Sequence, residues 1–141
     1  MEIKVYLEKY SKMPTKAHET DAGYDLYTPH DVTVPAKGSA IIDTGVHMQI
    51  PDGYVGLLFP KSGLNVKKGI LSFGVIDAGY TGTIVVKLYN EGDEPVSFEA
   101  GNKITQLVIQ PILITSLTPV DEMGAFDDSE RGEKGFGSSG K

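Results

Sequence analysis

The chain has 141 residues, a formal net charge of −6 and no cysteine. A domain of this size buries roughly 70% of the surface of its unfolded chain, so we expect one domain with a substantial hydrophobic core. The acidic balance argues against nucleic acids and membrane surfaces as partners, because both need a basic face. The lack of cysteine excludes a disulfide framework and a thiolate metal site.

The first residues, MEIKVYLEKY, do not contain the apolar core of a signal peptide, and no apolar run is long enough to span a membrane. We therefore expect a cytoplasmic protein that works without a membrane partner. A nucleotide-sized anion stays compatible with the acidic chain, provided that a metal ion or a few cations supply local positive charge.

Short apolar stretches recur along the chain, and most of them alternate with a period of two residues. In chain order they are IKVYL, VHMQI, YVGLLF, ILSFGVI, TIVVKLY and ITQLVIQPI. In the second stretch Val46, Met48 and Ile50 can face a core while the residues between them face solvent. The segments PAKG, PDG, DAGYTG and EGDEP between the stretches are turn formers. Seven or more short strands at this spacing predict an all-β fold.

The stretch DAGYDLYTP places two carboxylates, Asp21 and Asp25, four residues apart. Taken alone, it is best interpreted as a solvated loop that precedes a strand. His18 and His30 flank the stretch, but lone histidines at this spacing indicate surface imidazoles rather than a metal site.

The stretch FPKSGLNVKKG predicts the one helix of note. Ser62 is suited to cap its N-terminus, Leu64 to Lys68 can form one or two turns, and Gly69 can end it. Lys61, the Ser62 hydroxyl and the free N–H groups of the first turn are also the parts of an anion site. On this segment alone, a capped surface helix explains the pattern equally well.

The stretch GVIDAGYTGTI predicts a hairpin whose tip carries Asp77 and Tyr80 between two apolar arms. A tip of this kind needs no function. An exposed tyrosine beside an aspartate can, however, stack on a flat ligand while the carboxylate accepts a proton from water. Farther on, GNKITQLVI begins an apolar strand with Lys103 and Gln106, which by themselves indicate an edge strand.

The chain ends in RGEKGFGSSGK, which fits two phosphate-binding glycine patterns in part. Both matches fail, because no helix can follow the glycines and Ser138 stands where a Walker loop needs lysine. What remains is a flexible tail of glycine and serine from about Asp127 onward.

In this order, DAGYDL, PKSGL, GVIDAGYTG, GNKITQLVI and RGEKGFGSSG resemble the five motifs of the homotrimeric dUTPase family, over essentially the whole chain. The resemblance implies a distorted jelly-roll β-barrel with one short helix over residues 1–126. It also implies a homotrimer with shared active sites. Residues 127–141 would form a flexible lid that closes over a pocket made by two other subunits.

The resemblance implies that Mg²⁺ assists in-line attack of water on the α-phosphorus of dUTP. The products would be dUMP, for thymidylate synthesis, and pyrophosphate. Asp77 would orient or deprotonate the water, Asp25 would hold Mg²⁺ through its water shell, Tyr80 would exclude a 2′-hydroxyl, and Phe136 would stack on uracil. The substrate contacts implied are Lys61, Ser62, Gly63, Gly74, Ile76, Asp77, Tyr80, Lys87, Gln106, Arg131, Phe136, Gly137, Ser138 and Ser139.

The sequence departs from the family pattern at four positions. Lys61 and Lys103 stand where arginine is usual, and Asn102 replaces a usual aspartate. Lysine lacks the planar fork of arginine, so we expect weaker phosphate binding at both places. Leu71 falls near a position where many bacterial members carry an asparagine that touches uracil, so base recognition here would depend more on backbone atoms.

Two alternatives stay open. The dCTP deaminase branch shares the fold and resembles this chain at GTIVVKLYN, but it carries its catalytic glutamate where this chain has Lys87. A lysine cannot perform that proton transfer at neutral pH, which favours the hydrolase. The second alternative is a non-catalytic module that binds a nucleotide or a protein through the same surface. Only a measurement of turnover distinguishes such a module from an enzyme.

Overall fold

The computed structural model describes residues 1–140 and consists mainly of short β-strands. The ten strands are β1 (Val5–Leu7), β2 (Gly23–Tyr27), β3 (Val32–Val34), β4 (Ser39–Met48), β5 (Tyr54–Phe59), β6 (Ile70–Ser72), β7 (Gly74–Ile76), β8 (Thr83–Asn90), β9 (Val96–Phe98) and β10 (Lys103–Pro111). One helix, α1 (Ser62–Lys68), follows β5, and a short 3₁₀ turn occupies Met123–Ala125. The expected all-β class with a single short α-helix is confirmed.

Two antiparallel four-stranded sheets enclose the core. Their strand orders are β1-β4-β8-β6 and β2-β10-β5-β7, and a two-stranded pair, β3-β9, accompanies them. Among residues 1–140 no backbone pairing joins the two large sheets, so the strands do not close into a barrel. The core between them is apolar and includes Leu26, Ile42, Leu58, Ile84, Val86, Leu88, Ile104 and Leu107.

The alternation predicted from the sequence is confirmed in both long strands of the first sheet. Ile84, Val86 and Leu88 of β8 are almost completely buried, and the intervening side chains are exposed or half-buried. In and after β4, Val46, Met48 and Ile50 are likewise buried while His47 is only half-buried. The period-two pattern therefore identified the inward face of these strands.

The predicted hairpin around Asp77 is wrong. β7 pairs with β5, whereas β8 pairs with β4 and β6, so the turn at residues 77–82 connects the two sheets instead of joining paired arms. The stretch ILSFGVI is divided in the same way, with Phe73 between β6 and β7. Consecutive strands pair with each other only about two-thirds of the time, and both apolar arms here bury their side chains in their own sheets.

Helix α1 ends as predicted but begins one residue earlier than expected. Gly69 adopts a left-handed conformation, with φ of 70°, and ends the helix. A Cβ at Gly69 would lie 2.9 Å from the backbone nitrogen of Gly92, so both conformation and space require glycine. Ser62 is the first helical residue rather than the N-cap. Lys61 occupies the N-cap with extended backbone, and no side chain caps the helix.

One buried polar side chain joins three segments at the end of β8. The Asn90 Nδ2 group donates to the carbonyls of Val34 at 3.1 Å and Glu94 at 2.8 Å. Its Oδ1 atom accepts a hydrogen bond from the Gly92 backbone N–H at 2.9 Å. The side chain is 1% exposed, and all of its hydrogen-bonding groups are paired.

We expect Asn90→Ala to lower the free energy of unfolding by at least about 2 kcal/mol, because it leaves buried backbone groups without partners. Urea unfolding at one fixed chain concentration, followed by circular dichroism, measures the change. The matched control is Asn65→Ala on the exposed face of α1, which should stay within about 0.5 kcal/mol of the parent. Equal midpoints for the two variants would contradict this role of Asn90.

Candidate functional site

A buried carboxylate lies between two lysines at one end of the second sheet. Asp25, on β2, is only 5% exposed. The Lys61 ammonium group binds its Oδ1 atom, and the Lys103 ammonium group binds its Oδ2 atom at 3.0 Å. We call these three residues the Asp25 cluster. Each of its carboxylate oxygens therefore has a cationic partner.

The strand order explains why these charges meet. β10 lies between β2 and β5, and Gln106 of β10 is opposite both Asp25 of β2 and Phe59 of β5. Lys103 begins β10, and Lys61 follows the end of β5. Three neighbouring strands therefore bring one carboxylate and two ammonium groups to the same end of the sheet.

The lysines decide the charge of Asp25. Burial raises its pKa, but hydrogen bonds and charge attraction from Lys61 and Lys103 outweigh burial and hold the pKa below its usual value. The hydrogen bond to Asp25 in turn raises the pKa of Lys103. With Asp25 ionised and both lysines charged, the cluster has a net charge of +1 in a chain that is acidic as a whole.

Gln106 and Gly23 support the cluster through close packing. The Gln106 Nε2 group donates to the Pro60 carbonyl at 3.0 Å and so fixes the segment that leads into α1. A Cβ at Gly23 would lie 2.6 Å from the Gln106 Oε1 atom, which explains the glycine of DAGYDL. Ser62 and Gly63 follow Lys61 in the exposed first turn of α1.

Two local interpretations from the sequence are wrong. Asp25 lies inside a strand rather than in a solvated loop, and β10 is a central strand rather than an edge strand. Asp21 instead accepts a hydrogen bond from the His18 backbone at 2.9 Å, which lowers its pKa. His18 and His30 are exposed, as expected of surface imidazoles.

The sequence did not predict the residues that hold the backbone around Asp25. Thr15 exchanges two backbone hydrogen bonds with Asp25, at 2.6 and 3.3 Å, along the outer side of β2. Thr105 donates to the Phe59 carbonyl at 2.9 Å and contacts the Ser72 hydroxyl at 2.7 Å. Isolated threonines and serines give no periodic signal, so nothing in the sequence distinguishes them.

A second group of predicted residues lies on β7 and the turn after it. Gly74 and Ile76 belong to β7, and Asp77 is exposed immediately after the strand. The Tyr80 backbone N–H donates to the Asp77 carbonyl at 3.2 Å, and the Tyr80 hydroxyl donates to the Thr83 carbonyl at 2.8 Å. The tyrosine ring lies against Gly82 and remains 45% exposed.

The Asp25 cluster and the β7–β8 turn are far apart within one chain. Ile76 is opposite Gly56, three residues from the Phe59 position that shares a row with Asp25. β2 and β7 are also the two outer strands of the sheet. With about 4.8 Å between strands and about 3.3 Å per residue, the Asp25 and Ile76 positions are about 17 Å apart. Within one chain, Asp25 and Asp77 are therefore too far apart to contact the same substrate atom.

The predicted tail residues are separate from both groups. Arg131 donates to the Lys134 carbonyl at 2.9 Å and to the Gly135 carbonyl at 3.3 Å. Phe136 is fully exposed, and Gly137 has a φ of 79°. Among residues 127–140 the hydrogen bonds stay within the tail. An open cavity of about 340 Å³ in the tail is lined by Glu130, Arg131, Lys134, Ser138 and Ser139.

Lys87 lies on the other sheet. It occupies an exposed position of β8 opposite Ile41, and its ammonium group is 5.0 Å from the centre of the Tyr89 ring. It therefore joins neither the Asp25 cluster nor the β7–β8 turn within one chain.

The donor set limits how a metal ion can be held. Among residues 1–140 no three histidine or carboxylate side chains are close enough together to bind one. Asp25 is the carboxylate of the cluster, and both of its oxygens already have lysine partners. This arrangement fits an ion that keeps most of its waters and bridges substrate phosphates, as Mg²⁺ commonly does, rather than one held by an all-protein cage.

The chain is similar to proteins of one family along nearly its full length. The dUTPase family model matches residues 9–140. The deoxyuridine 5'-triphosphate nucleotidohydrolase of Candida albicans is 40% identical over 141 residues, covering 99% of this chain and 88% of that protein. The enzyme of the same name from Cutibacterium acnes is 43% identical over 132 residues, covering 91% and 85%.

Solved structures give the same result. The Staphylococcus bacteriophage 80alpha dUTPase with dUPNHPP superimposes with a TM-score of 0.90 at 36% identity, covering 99% of both chains. A mutant dUTPase from phage phi11 of S. aureus, which coordinates a structural Mg(II) ion, has a TM-score of 0.80 at 30% identity, covering 87% of this chain and 99% of that chain. The chain described here belongs to the dUTPase family.

Proposed function

We propose that this protein hydrolyses dUTP to dUMP and pyrophosphate, by attack of water on the α-phosphorus. The reaction lowers dUTP and supplies dUMP for thymidylate synthesis. The observation that carries the proposal is the Asp25 cluster, which concentrates positive charge around a buried carboxylate at the end of three strands. The family match supports a nucleoside triphosphate as the ligand of this positive charge.

The phosphate chain would bind at the cluster and the first turn of α1. Lys61 supplies charge there, while Ser62 and Gly63 present exposed hydroxyl and backbone donors. A Cβ at Gly63 would meet nothing within 4 Å, so the backbone is open to a ligand. Gln106 lies beside Pro60 in the same row and would contribute a further polar contact.

Asp25 fits the role of an acceptor for the water shell of Mg²⁺. A carboxylate has about four lone-pair sites, so the two lysines leave room for water. When bound, Mg²⁺ would supply charge that neutralises the phosphate oxygens. Lys61 and Lys103 keep Asp25 ionised and therefore able to accept those hydrogen bonds.

The β7–β8 turn would bind the nucleoside and activate the water. β7 is an edge strand, so its outer backbone groups near Gly74 and Ile76 are available to read the uracil edge. Tyr80 is fixed by its own hydrogen bonds with one face exposed, which suits packing beneath a sugar that lacks a 2′-hydroxyl. Asp77 is an exposed carboxylate that would orient or deprotonate the attacking water.

A homotrimer would complete the site. The separation of about 17 Å between the Asp25 and Ile76 positions, from strand spacing, supports a site whose parts come from different chains. After β10 the chain also carries a row of exposed apolar side chains, which another copy can cover. These are Leu113 (88% exposed), Ile114 (78%) and Leu117 (95%).

Within this proposal residues 1–126 form the body and residues 127–141 form the lid. Arg131, Ser138 and Ser139 would donate to the triphosphate, and Phe136 would stack on uracil. Gly137, with its positive φ, would let the backbone approach the phosphates. Lys141, the last residue of the lid, lies outside the described residues. Lys87 would contact substrate bound largely by a neighbouring subunit.

No helix among residues 1–140 is long and apolar enough to cross a membrane. We propose the cytoplasm as the place of action. The deaminase alternative is disfavoured by Lys87, whose side chain cannot act as the carboxylate that this reaction needs.

Incubation with Mg²⁺ and, separately, dUTP, dCTP, dTTP and UTP tests the function. We expect dUTP alone to give dUMP and pyrophosphate, identified by chromatography. Loss of the amino group from dCTP would support the deaminase. If no nucleotide is turned over, the surface is a binding module.

Asp77→Asn should keep dUTP binding and lower kcat at least about 100-fold, because an amide cannot accept the proton from water. Pyrophosphate release measures kcat, and calorimetry with a non-hydrolysable analogue measures binding. Asp52→Asn, in an exposed turn, is the matched control and should keep full activity. Unchanged kcat in Asp77→Asn would rule out the assigned base.

Deletion of residues 131–141 should abolish turnover while the trimer persists, because residues 127–140 make no hydrogen bond to the body. Light scattering coupled to size exclusion gives the mass of the assembly. Phe136→Ala tests the stacking contact within the full-length chain and should weaken dUTP binding. A monomeric truncated protein would place the lid in the assembly instead of the active site.

A further inference from the structure

β4 contains a bulge beside the start of β8. Asp43 is opposite Val85 and His47 is opposite Thr83, so four residue steps on β4 correspond to two on β8. Gly45 lies inside the bulge with a φ of 65°, and a Cβ there would collide with the Ser11 hydroxyl. Bulges of this kind redirect side chains.

The bulge directs three side chains onto the segment that begins β8, and we call Asp43, Thr44 and His47 the β4 clamp. Two of its contacts hold the strand itself, and the third holds the turn just after Tyr80. The contacts join the Thr44 hydroxyl to the Ile84 carbonyl at 2.6 Å, the Thr83 hydroxyl to Asp43 Oδ2 at 3.0 Å, and His47 Nδ1 to the Thr81 carbonyl at 2.6 Å.

Both ring nitrogens of His47 face acceptors. Nδ1 lies 2.6 Å from the Thr81 carbonyl oxygen, and Nε2 lies 2.8 Å from Glu8 Oε1. A neutral imidazole has one N–H, so it can donate to only one of these groups. Both contacts are satisfied at once only when His47 is protonated.

The surroundings favour that protonated form. The Thr81 carbonyl contributes most to raising the pKa of His47, followed by Glu8, and together they outweigh a lowering by burial. Asp43, on the same strand, raises it further. From β1 the Tyr6 ring packs against the His47 ring at 5.4 Å between centroids, and Lys4 lines an open cavity together with Tyr6, His47 and Thr81.

We propose that His47 is a positioning residue for the reaction, holding the turn that carries Asp77 and Tyr80 through the Thr81 carbonyl. The inference rests on the proposed function of those two residues. Tyr80 is tied to the start of the turn by its N–H and to Thr83 by its hydroxyl. The Thr81 carbonyl, between them, is held by His47 from outside the turn.

The direction of the pH effect follows from the hydrogen bonds. Below its raised pKa, His47 is charged and donates to both partners. As pH rises through that pKa, one N–H is lost, and a ring nitrogen lone pair then faces either the Thr81 carbonyl or the Glu8 carboxylate. The turn loosens, so kcat/KM for dUTP and the preference for dUTP over UTP both fall.

His47→Ala should lower the ratio of kcat/KM for dUTP to that for UTP about tenfold, the value of one charge-assisted hydrogen bond. His47→Gln, whose single amide nitrogen can donate to only one of the two partners of His47, should have an intermediate ratio that no longer changes with pH. Glu8→Gln should move the fall in kcat/KM that accompanies rising pH to a lower pH. Gln49→Ala is the matched control, because its exposed side chain points outward from the same segment, and it should change nothing.

Ring ¹⁵N chemical shifts give a readout without turnover. The chain has three histidines, and the His47 signals are those that disappear in His47→Ala. We expect the pKa of His47 to lie above the ordinary value for histidine and to fall in Glu8→Gln. A His47 pKa at the ordinary value for histidine, or an unchanged nucleotide ratio and pH profile in His47→Ala, would overturn the proposal. If the parent protein fails to turn over dUTP, the proposed function itself fails, whatever the His47 variants do.

Discussion

The charge balance around Asp25 constrains the architecture of this protein more than any other contact. A carboxylate that is 5% exposed stays ionised only if opposite charges reach it, and Lys103 does so from β10 while Lys61 does so from the segment after β5. This requires β2, β10 and β5 to be neighbours with their ends aligned. The packing of β2, β10 and β5 then accounts for two further features. These are the close approach of Gly23 to Gln106 and the hydrogen bonds of Thr105.

Lysine in place of the usual arginine changes the chemistry of this cluster. An ammonium group is a compact charge with three rotatable donors, and it lacks the planar fork that binds a carboxylate or phosphate through two parallel hydrogen bonds. Each lysine can bind one oxygen of Asp25 and still present N–H groups to a phosphate. The cluster therefore combines a fixed internal ion pair with adaptable outward donors.

The two halves of the proposed site sit on opposite edges of one sheet, and this has a structural cost. β7 must stay an edge strand if its backbone is to read a base, and the chain after β10 must expose apolar side chains if it is to reach another copy. Edges and apolar arms of this kind favour uncontrolled association unless a defined partner covers them. The proposed closed trimer would satisfy both requirements. The β4 clamp adds rigidity where the turn enters β8.

The sequence by itself determined the class of fold, the inward faces of the strands and the end of α1 at Gly69. Period-two burial and a left-handed glycine are local properties, so Ile84, Val86 and Leu88 could be placed without knowing their neighbours. Motif order also identified the family and most of the candidate residues. Only the tertiary structure decided that β7 and β8 belong to different sheets, that Asp25 is buried within a strand, and that His47 reaches Thr81. Alternation specifies which face is buried but not which strand lies alongside, and that choice depends on contacts between residues far apart in the chain.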